Sequence, residues 1–494
     1  MILIKNAQII DGTGKPPFKG DILVKDDKIS AIGTFPNQRA EAIIDGLGLT
    51  VAPGFIDPYS TSDHYLTLFT NPSQPDFLIQ GVTTIIGGHC GSSLAPLLYG
   101  SLKSIRKWGN PNQININWLS LEELKKTLRR LKIGVNFGTL TGHSTIRRDL
   151  IGEEIRDLTQ SELELFQAAL KQTLQEGALG FSTGLSYSHS RQVSYSEIKN
   201  LLAALNGKGI YSTHLRNEKE NIIESVQETI KISSETGMTT VISHFRPIIG
   251  FENQFQEALQ LIQKNLGVSN VYFQVNPFST SILPVYTLLP SWAQNGNLEL
   301  MLENISDPNQ RPQIIQDLNQ ANINFESMVI GKAQDNNYII GKTLKEFSET
   351  RGLSLADGLL VLMEITRMKA LIFYQNINSA MATDLVLNPR ALIGSNSASL
   401  PAAGSALKPE RFTKTFLKFL EIAASKNVPP EEAIKKITLV PAKIFGLQKR
   451  GALIEGWFAD LVMLKENQIV NVIVNGRLAM QDNKLTGELF GTPI

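Results

Sequence analysis

Three side chains of the kind that bind transition metals stand where strands of a parallel fold would end. His214 closes the run Ile-Tyr-Ser-Thr-His, His244 closes Val-Ile-Ser-His, and Cys90 follows a β-branched run within Gly-Gly-His-Cys-Gly. Two imidazoles and one thiolate suit Zn²⁺, with a fourth position left for water. Taken alone, each residue has a simpler interpretation without a metal, either as a cysteine packed in the core or as an ordinary polar histidine. Together, the three residues at three strand ends predict one zinc ion.

The segments that would position these side chains alternate between short β-branched runs and amphipathic helices. Capping-box sequences begin three of the helices, at Ser120, Thr159 and Ser194. The alternation predicts a parallel (β/α)₈ TIM barrel, in which functional groups lie at the C-terminal ends of the strands. An open doubly wound sheet is the alternative, although no glycine-rich phosphate loop follows the first strand. The predicted strands are 54–57, 82–87, 135–141, 179–183, 210–214, 240–244, 271–278 and 391–396.

Both ends of the chain are rich in short strands and turn dipeptides such as Asp11-Gly12 and Asn475-Gly476. We therefore expect residues 1–50 and 446–494 to meet in one small β-sandwich domain, beside a barrel formed by residues 51–445. Residues of about 279–390 are predicted to be a long insertion before the last barrel strand. The insertion contains a helical pattern over 353–366 but no clear chemistry.

Composition and charge narrow the class of protein. The chain has 494 residues, of which 42% are hydrophobic and 19% charged, as in ordinary soluble globular proteins. A net charge of +1 gives no electrostatic reason to expect nucleic acid or an anionic membrane as partner. No apolar run approaches the roughly 20 residues of a membrane span, and the N-terminal residues lack the apolar core of a signal peptide. We expect a cytoplasmic protein with a small-molecule ligand, and its single cysteine excludes an intramolecular disulfide.

Eight sequence motifs, in order along nearly the whole chain, resemble those of the N-acyl-D-amino-acid deacylases (D-aminoacylases) of the amidohydrolase superfamily. The resemblance implies a metal-dependent barrel with a β-sandwich from both termini, hydrolysis of the N-acyl amide of a D-amino acid, and a tight zinc ion held by Cys90, His214 and His244. The motifs are Val-Ala-Pro-Gly-Phe-Ile-Asp (51–57), the stretch 81–91 that ends in Gly-His-Cys-Gly, Gly-His-Ser-Thr-Ile-Arg (142–147), Gly-Phe-Ser-Thr-Gly-Leu (180–185), Thr-His-Leu-Arg-Asn-Glu (213–218), Ile-Ser-His (242–244), Pro-Ala-Lys-Ile-Phe-Gly-Leu (441–447) and Gly-Trp-Phe-Ala-Asp-Leu-Val (456–462).

The first departure from the family pattern concerns a second metal position. After Gly-Phe-Ile-Asp the family has His-x-His, whereas this chain has Tyr59, Ser60 and Thr61. His64 lies three residues beyond Thr61 and cannot simply replace the pair. We therefore expect one zinc ion and no second metal.

The second departure concerns proton transfer. At the end of the last barrel strand the family has Gly-Ser-Asp, and that aspartate acts as general base and then as acid. This chain has Asn396 there. A neutral amide lacks the basicity that the step needs, and general acid–base catalysis is typically worth about 10²–10⁴ in rate. Asp63 or Glu218 could substitute for the aspartate, but the sequence places neither beside the metal.

Two further positions concern substrate binding. Arg246 stands where the family has a lysine that meets the substrate carboxylate, and arginine could hold a carboxylate through two hydrogen bonds. A surface arginine at the barrel rim is the alternative. Phe278 replaces a family tyrosine whose hydroxyl could bind substrate. Of the remaining histidines, His89 and His189 are expected to be structural or to support the ligands, and His143 lies in a matched motif without an assigned role.

Two functions therefore stay open. The first is a zinc hydrolase that acts on linear carbon–nitrogen (amide) bonds, with an N-acyl amino acid as substrate and impaired proton transfer. The second is a non-catalytic barrel that binds zinc or a small ligand. A cyclic-amide hydrolase is disfavoured, because such enzymes use a bridging lysine carbamate and an intact His-x-His pair, and the sequence shows neither.

Overall fold

The computed structural model describes residues 1–294, 297–321, 323–333, 335–401 and 407–494. The chain begins with five strands of one sheet. Strand β1 pairs antiparallel with β2, which pairs with β3, and β1 also runs parallel to β4 and β5. The five strands are β1 (Ile2–Ile9), β2 (Phe18–Lys25), β3 (Lys28–Gly33), β4 (Ala42–Asp45) and β5 (Thr50–Pro53).

The next eight strands are parallel and fill seven of the eight barrel positions, because a short strand, β9, continues β8. Nearly all of their residues are buried, as expected of a parallel sheet covered by helices on one face and filled by side chains on the other. They are β6 (Phe55–Asp57), β7 (Val82–Gly87), β8 (Asn136–Thr139), β9 (Thr141–Gly142), β10 (Gly180–Gly184), β11 (Ile210–His214), β12 (Thr240–Ile242) and β13 (Val271–Val275).

Eight helices connect these strands. Two of the three predicted capping boxes are complete, since Ser120 with Glu123 and Thr159 with Glu162 satisfy each other's free N–H groups. Gly237 ends a helix in the left-handed conformation, with a φ of 67°. The helices are α1 (Thr67–Thr70), α2 (Pro75–Leu78), α3 (Leu121–Leu131), α4 (His143–Ile151), α5 (Gln160–Gln175), α6 (Tyr195–Ala203), α7 (Ile222–Thr236) and α8 (Glu252–Lys264).

The insertion after β13 has a hydrophobic core of its own. The predicted helical pattern is present as α12, but the insertion also contains an antiparallel three-stranded sheet that the sequence analysis missed. Its elements are β14 (Thr280–Pro284), α9 (Leu298–Ser306), α10 (Arg311–Gln320), β15 (Met328–Lys332), α11 (Leu344–Glu349), α12 (Leu355–Ile365), β16 (Leu371–Gln375) and α13 (Ser379–Leu385).

Strand β17 (Ala391–Ile393) pairs with β13 and supplies the eighth barrel position. The barrel closes where the Asn396 N–H donates to the Tyr59 carbonyl at 2.9 Å and the Thr61 N–H donates to the Ser397 carbonyl at 2.8 Å. The predicted (β/α)₈ barrel is confirmed. Three helices follow: α14 (Arg411–Ser425), α15 (Pro430–Ile437) and α16 (Leu439–Ile444).

The C-terminal strands return to the N-terminal sheet, because β18 pairs with β5. Hydrogen bonds thus join nine strands from both termini into one sheet, which confirms that the ends of the chain meet in one β-domain. Asn475 and Gly476 both have positive φ, as a tight hairpin turn requires. The strands are β18 (Leu461–Lys465), β19 (Gln468–Val474), β20 (Arg477–Gln481) and β21 (Lys484–Leu485). Among the described residues, no helix has both the length and the apolarity that crossing a membrane requires.

Candidate metal centre

The three predicted ligands lie together at the mouth of the barrel. One ligand atom from each of Cys90, His214 and His244 falls within 4.8 Å of the other two, and all three residues are buried. The Cys90 sulfur is 3.3 Å from Nε2 of His244. Each residue stands at or just after the C-terminal end of its strand, so barrel closure brings together side chains that are far apart in sequence.

The backbone is unusual at three positions around this cluster. Cys90, His244 and Asn396 have φ values of 52°, 35° and 48°. Residues other than glycine seldom adopt this left-handed region, and strained conformations of this kind collect at functional sites.

Glu218 lies beside both imidazoles. Its carboxylate is 3.2 Å from Nδ1 of His244 and 3.4 Å from Nε2 of His214, and it accepts a hydrogen bond from Arg246 at 3.0 Å. When the Nδ1–H of His244 donates a hydrogen bond to Glu218, Nε2 carries no proton. The lone pair of Nε2, on the side of Cys90, is then free to bind a metal ion. A carboxylate behind a histidine ligand in this way fixes the ring and raises its basicity.

The ionisable groups of the cluster shift one another's pKa values. Burial opposes ionisation of the Cys90 thiol, but the neighbouring imidazoles of His244 and His214 outweigh burial and hold its pKa well below the usual value. Burial likewise opposes ionisation of Glu218, but Arg246 and His214 hold the pKa of that carboxyl well below its ordinary value. Burial lowers the pKa of His214, and the carboxylate of Glu218 together with the sulfur of Cys90 more than compensates, so that the pKa rises to about 9. A thiolate and a carboxylate therefore surround the imidazoles.

The donor set fits zinc. A thiolate and two imidazoles are ligands that zinc prefers, and they are buried close enough to share one ion. His244 also has the carboxylate partner that usually accompanies a metal-binding histidine.

Tyr59 is a neighbour of the cluster that the sequence analysis did not place there. Its hydroxyl oxygen lies 2.9 Å from the Cys90 sulfur, and its ring packs against the rings of His89 and His244, with centroids 4.3 and 5.4 Å away. In the sequence, Tyr59 is the residue expected to replace the first histidine of the family's His-x-His pair. The available signal was its position two residues beyond β6.

Ser186 and Tyr187 also contact the cluster and were missed. The Ser186 hydroxyl is 3.0 Å from Nε2 of His214, and the Tyr187 ring lies edge-on to the His214 ring with centroids 5.2 Å apart. Both follow the end of β10 by two or three residues, so the strand-end rule applied to every strand would have found them.

A cavity of about 580 Å³ opens above the cluster. Tyr59, His214, Glu218 and His244 line its barrel end, and the insertion supplies much of the opposite wall, including Tyr286. The volume is typical of small-molecule sites. The insertion, to which no chemistry was assigned from sequence, therefore shapes the space beside the candidate metal centre.

Of the other three predicted site residues, two line the cavity and one does not. Asn396 and Arg246 line the cavity. The Arg246 guanidinium is bonded to Glu218 and, at 3.0 Å, to the Ser281 hydroxyl. Phe278 is half-buried and is not among the described residues that line this cavity.

The remaining histidines have protein partners. Nε2 of His143 is 2.8 Å from Glu197, and Nδ1 of His89 is 3.2 Å from the Ser212 hydroxyl. His64 stacks on Trp108, with ring centroids 4.3 Å apart, and His189 contacts the Ser144 hydroxyl at 2.5 Å.

The two acidic substitutes that were weighed for proton transfer also differ. Glu218 lies beside the imidazoles, whereas Asp63 accepts a hydrogen bond from the Gly88 N–H at 2.6 Å. Asp63 therefore supports the loop that carries Cys90.

Comparison with known proteins agrees with this architecture. A family model described as the Amidohydrolase family matches residues 341–479. A D-aminoacylase of Alcaligenes xylosoxydans xylosoxydans is 28% identical over 99% of this chain and 96% of its own length. A crystal structure of a D-aminoacylase said to define a novel subset of amidohydrolases superposes with a TM-score of 0.81 at 26% identity, covering 99% of this chain and 98% of its own.

The resemblance to the D-aminoacylase family of amidohydrolases is confirmed. A further D-aminoacylase structure is described by its binuclear metal centre, with "one-metal activation and second-metal attenuation"; it is 25% identical, with a TM-score of 0.81, and covers 99% of this chain and 98% of its own. The D-aminoacylase fold thus extends over the barrel, the insertion and the terminal sheet of this chain.

Proposed function

We propose that this protein is a zinc-dependent hydrolase of linear amide bonds that acts on N-acyl amino acids and transfers protons poorly. The observation that carries the proposal is the convergence of Cys90, His214 and His244 within 4.8 Å at the floor of a cavity of small-molecule size. One zinc ion is proposed, since Tyr59 and Thr61 replace the histidines that a second metal would need.

The residues around the proposed zinc ion have separate roles in binding and orientation. Zinc, when bound by two imidazoles and a thiolate, supplies a Lewis acid for an amide carbonyl and a hydrolytic nucleophile near neutral pH. Glu218 orients His244, and Arg246 in turn holds Glu218. Arg246 also lines the cavity and is the proposed contact of the substrate carboxylate.

Proton transfer is the weak step. Asn396 lines the cavity, but its amide cannot accept a proton near pH 7. We do not assign the family aspartate's role to Glu218, because its carboxylate is already engaged by Nδ1 of His244 and by the Arg246 guanidinium. We therefore expect slow turnover.

Asn396→Asp tests the proposal. Asparagine and aspartate both tolerate the left-handed backbone of this position, so the substitution restores a carboxylate with little strain. We expect deacylation of N-acetyl-D-amino acids to rise by about 10²–10⁴. The measurement is amine release from matched N-acyl-D- and N-acyl-L-amino acids, with the zinc content of each preparation determined.

Cys90→Ser is the control. It should lower the zinc content and abolish the activity of both wild-type and Asn396→Asp protein. If the zinc-loaded Asn396→Asp variant hydrolyses no N-acyl amino acid, the hydrolase proposal fails.

Asn396 itself favours the second candidate function, a non-catalytic barrel. In that case an N-acyl amino acid binds the cavity without being consumed. Equilibrium binding to zinc-loaded wild-type protein, with the ligand recovered intact after long incubation, would support this function over hydrolysis.

A further inference from the structure

The surroundings of the Cys90 sulfur contain a fourth donor atom. The Tyr59 hydroxyl oxygen lies 2.9 Å from the sulfur, closer than Nε2 of His244 at 3.3 Å. Ligand atoms about 2.0–2.3 Å from one tetrahedral ion lie roughly 3.3–3.7 Å apart. The Tyr59 oxygen and the Cys90 sulfur are thus closer by about 0.4–0.8 Å than two ligands of one ion, so shared coordination requires only a small movement of the two atoms apart.

The position of the Tyr59 ring is held from several sides. The side chain is buried, with 3% of its surface exposed, between the rings of His89 and His244. Its N–H donates to the Asp57 carboxylate at 3.0 Å, and its carbonyl accepts the Asn396 N–H. Its Cβ lies 2.9 Å from where a Cβ on Gly394 would stand, so glycine is needed there. The hydroxyl is therefore directed at the sulfur by the barrel itself.

We propose that the Tyr59 oxygen is the fourth protein ligand of the metal, in a site made of Tyr59, Cys90, His214 and His244. This inference rests on the proposed metal centre. Tyrosine oxygen binds metal ions in proteins, and like cysteine sulfur it releases its proton to solvent when it does so.

The consequence is a site without a free position for water. Catalytic zinc sites keep such a position open, and some accept a fifth ligand in the transition state, so Tyr59 adds a second cause of the slow turnover that we propose. With Tyr59 bound, the fourth position is filled until the phenol is displaced or the ion accepts a fifth ligand. Tyr59 thus replaces a family histidine and also supplies a fourth ligand to the single zinc ion that we propose.

Zinc titration of the metal-free full-length protein tests the inference. A free tyrosine stays protonated near pH 7, because its pKa is about 10. Coordination ionises it, so one tyrosinate absorption signal should appear per zinc bound. We expect Tyr59→Phe to lose this signal and to bind zinc at least about tenfold more weakly in competition with a chromophoric chelator.

Two variants serve as controls. Tyr187→Phe removes the hydroxyl of another tyrosine, whose ring contacts the His214 ring, and should keep the signal. Tyr59→His supplies a nitrogen donor at the same position, and it should keep tight zinc binding without the tyrosinate signal. This variant also decides the matter if Tyr59→Phe does not fold.

The outcomes separate this inference from the proposed function. Wild-type protein that binds one zinc without a tyrosinate signal overturns the role of Tyr59 alone and leaves a three-ligand site. A signal that survives in Tyr59→Phe also overturns it. Wild-type protein that binds no zinc overturns both the role of Tyr59 and the metal-dependent function.

Discussion

At the scale of single residues, the candidate centre depends on its three clustered side chains and equally on the side chains that hold them in place. Glu218 contacts both imidazoles and is itself held by Arg246. These groups form a buried charged network, in which the removal of one member leaves the others unpaired. The substitution of a residue that holds a candidate ligand should therefore weaken metal binding.

Glu218→Gln is expected to weaken zinc binding by about 10–100-fold while the protein stays folded. The neutral amide no longer holds the Nδ1–H of His244 strongly, and Arg246 loses its counter-charge. Chelator competition measures the affinity. Glu224→Gln, on the exposed side of α7, is the matched control and should bind zinc as the wild type does. Equal affinities for the two variants would show that Glu218 does not orient the ligand.

At the scale of elements, each helix is tied to the barrel by contacts that sequence patterns show only in part. The predicted capping box of α6 is half formed: the Ser194 hydroxyl accepts the Glu197 N–H, but the Glu197 carboxylate turns inward to His143 and Arg147. Helix α15 is anchored by Lys436, whose ammonium donates to the Asn388 carbonyl at 2.6 Å, just before β17.

The Lys436 contact predicts a pH dependence of stability. Burial lowers its pKa from 10.5 to about 8. Below about pH 8 the folded and unfolded chains both carry the proton. Between about pH 8 and 10.5 the unfolded chain keeps a proton that the folded protein has released, so stability rises with pH in this window.

Relative to Lys436→Met, the wild-type free energy of unfolding should rise by about 1–2 kcal/mol between pH 8 and pH 10, a value reduced for the partial exposure of the side chain. Urea denaturation at both pH values measures it. Lys435→Met, on the outer face of the same helix, should show no such difference from the wild type. If the difference in the free energy of unfolding between the wild type and Lys436→Met is the same at both pH values, the ammonium stays charged in the folded protein.

At the scale of the whole molecule, the C-terminal residues fasten the terminal sheet to the start of barrel strand β8. The Gly491 N–H donates to the Ile133 carbonyl at 2.7 Å, and the Phe137 N–H donates to the Thr492 carbonyl at 2.9 Å. A Cβ on Gly491 would lie 2.1 Å from the Val135 carbonyl oxygen, so the two backbones meet where only glycine fits.

Gly491→Ala should therefore lower the free energy of unfolding by about 1–3 kcal/mol, because one backbone has to move. The zinc content should not change, since the contact is at the start of β8 and the metal centre is at the strands' other ends. Gly267→Ala is the control, because its Cβ would meet nothing within 4 Å. If both variants unfold at the same urea concentration as the wild type, the close approach at Gly491 contributes nothing to stability.

The sequence by itself determined the barrel and which three side chains of metal-binding type cluster at its mouth. Alternating strand and helix patterns are local, and parallel strands must place their ends on one face, so Cys90, His214 and His244 could be placed together without coordinates. The turn at Asn475-Gly476 and the capping boxes of α3 and α5 are local in the same way.

Only the tertiary structure decided which other side chains reach the cluster. Tyr59 and Glu218 contact ligands carried by other strand–helix units, Glu197 leaves its cap for His143, and Phe278 is outside the lining of the cavity. These placements depend on how the barrel closes and on the direction of each side chain. A one-dimensional pattern carries information about neither, because both result from packing between segments distant in sequence.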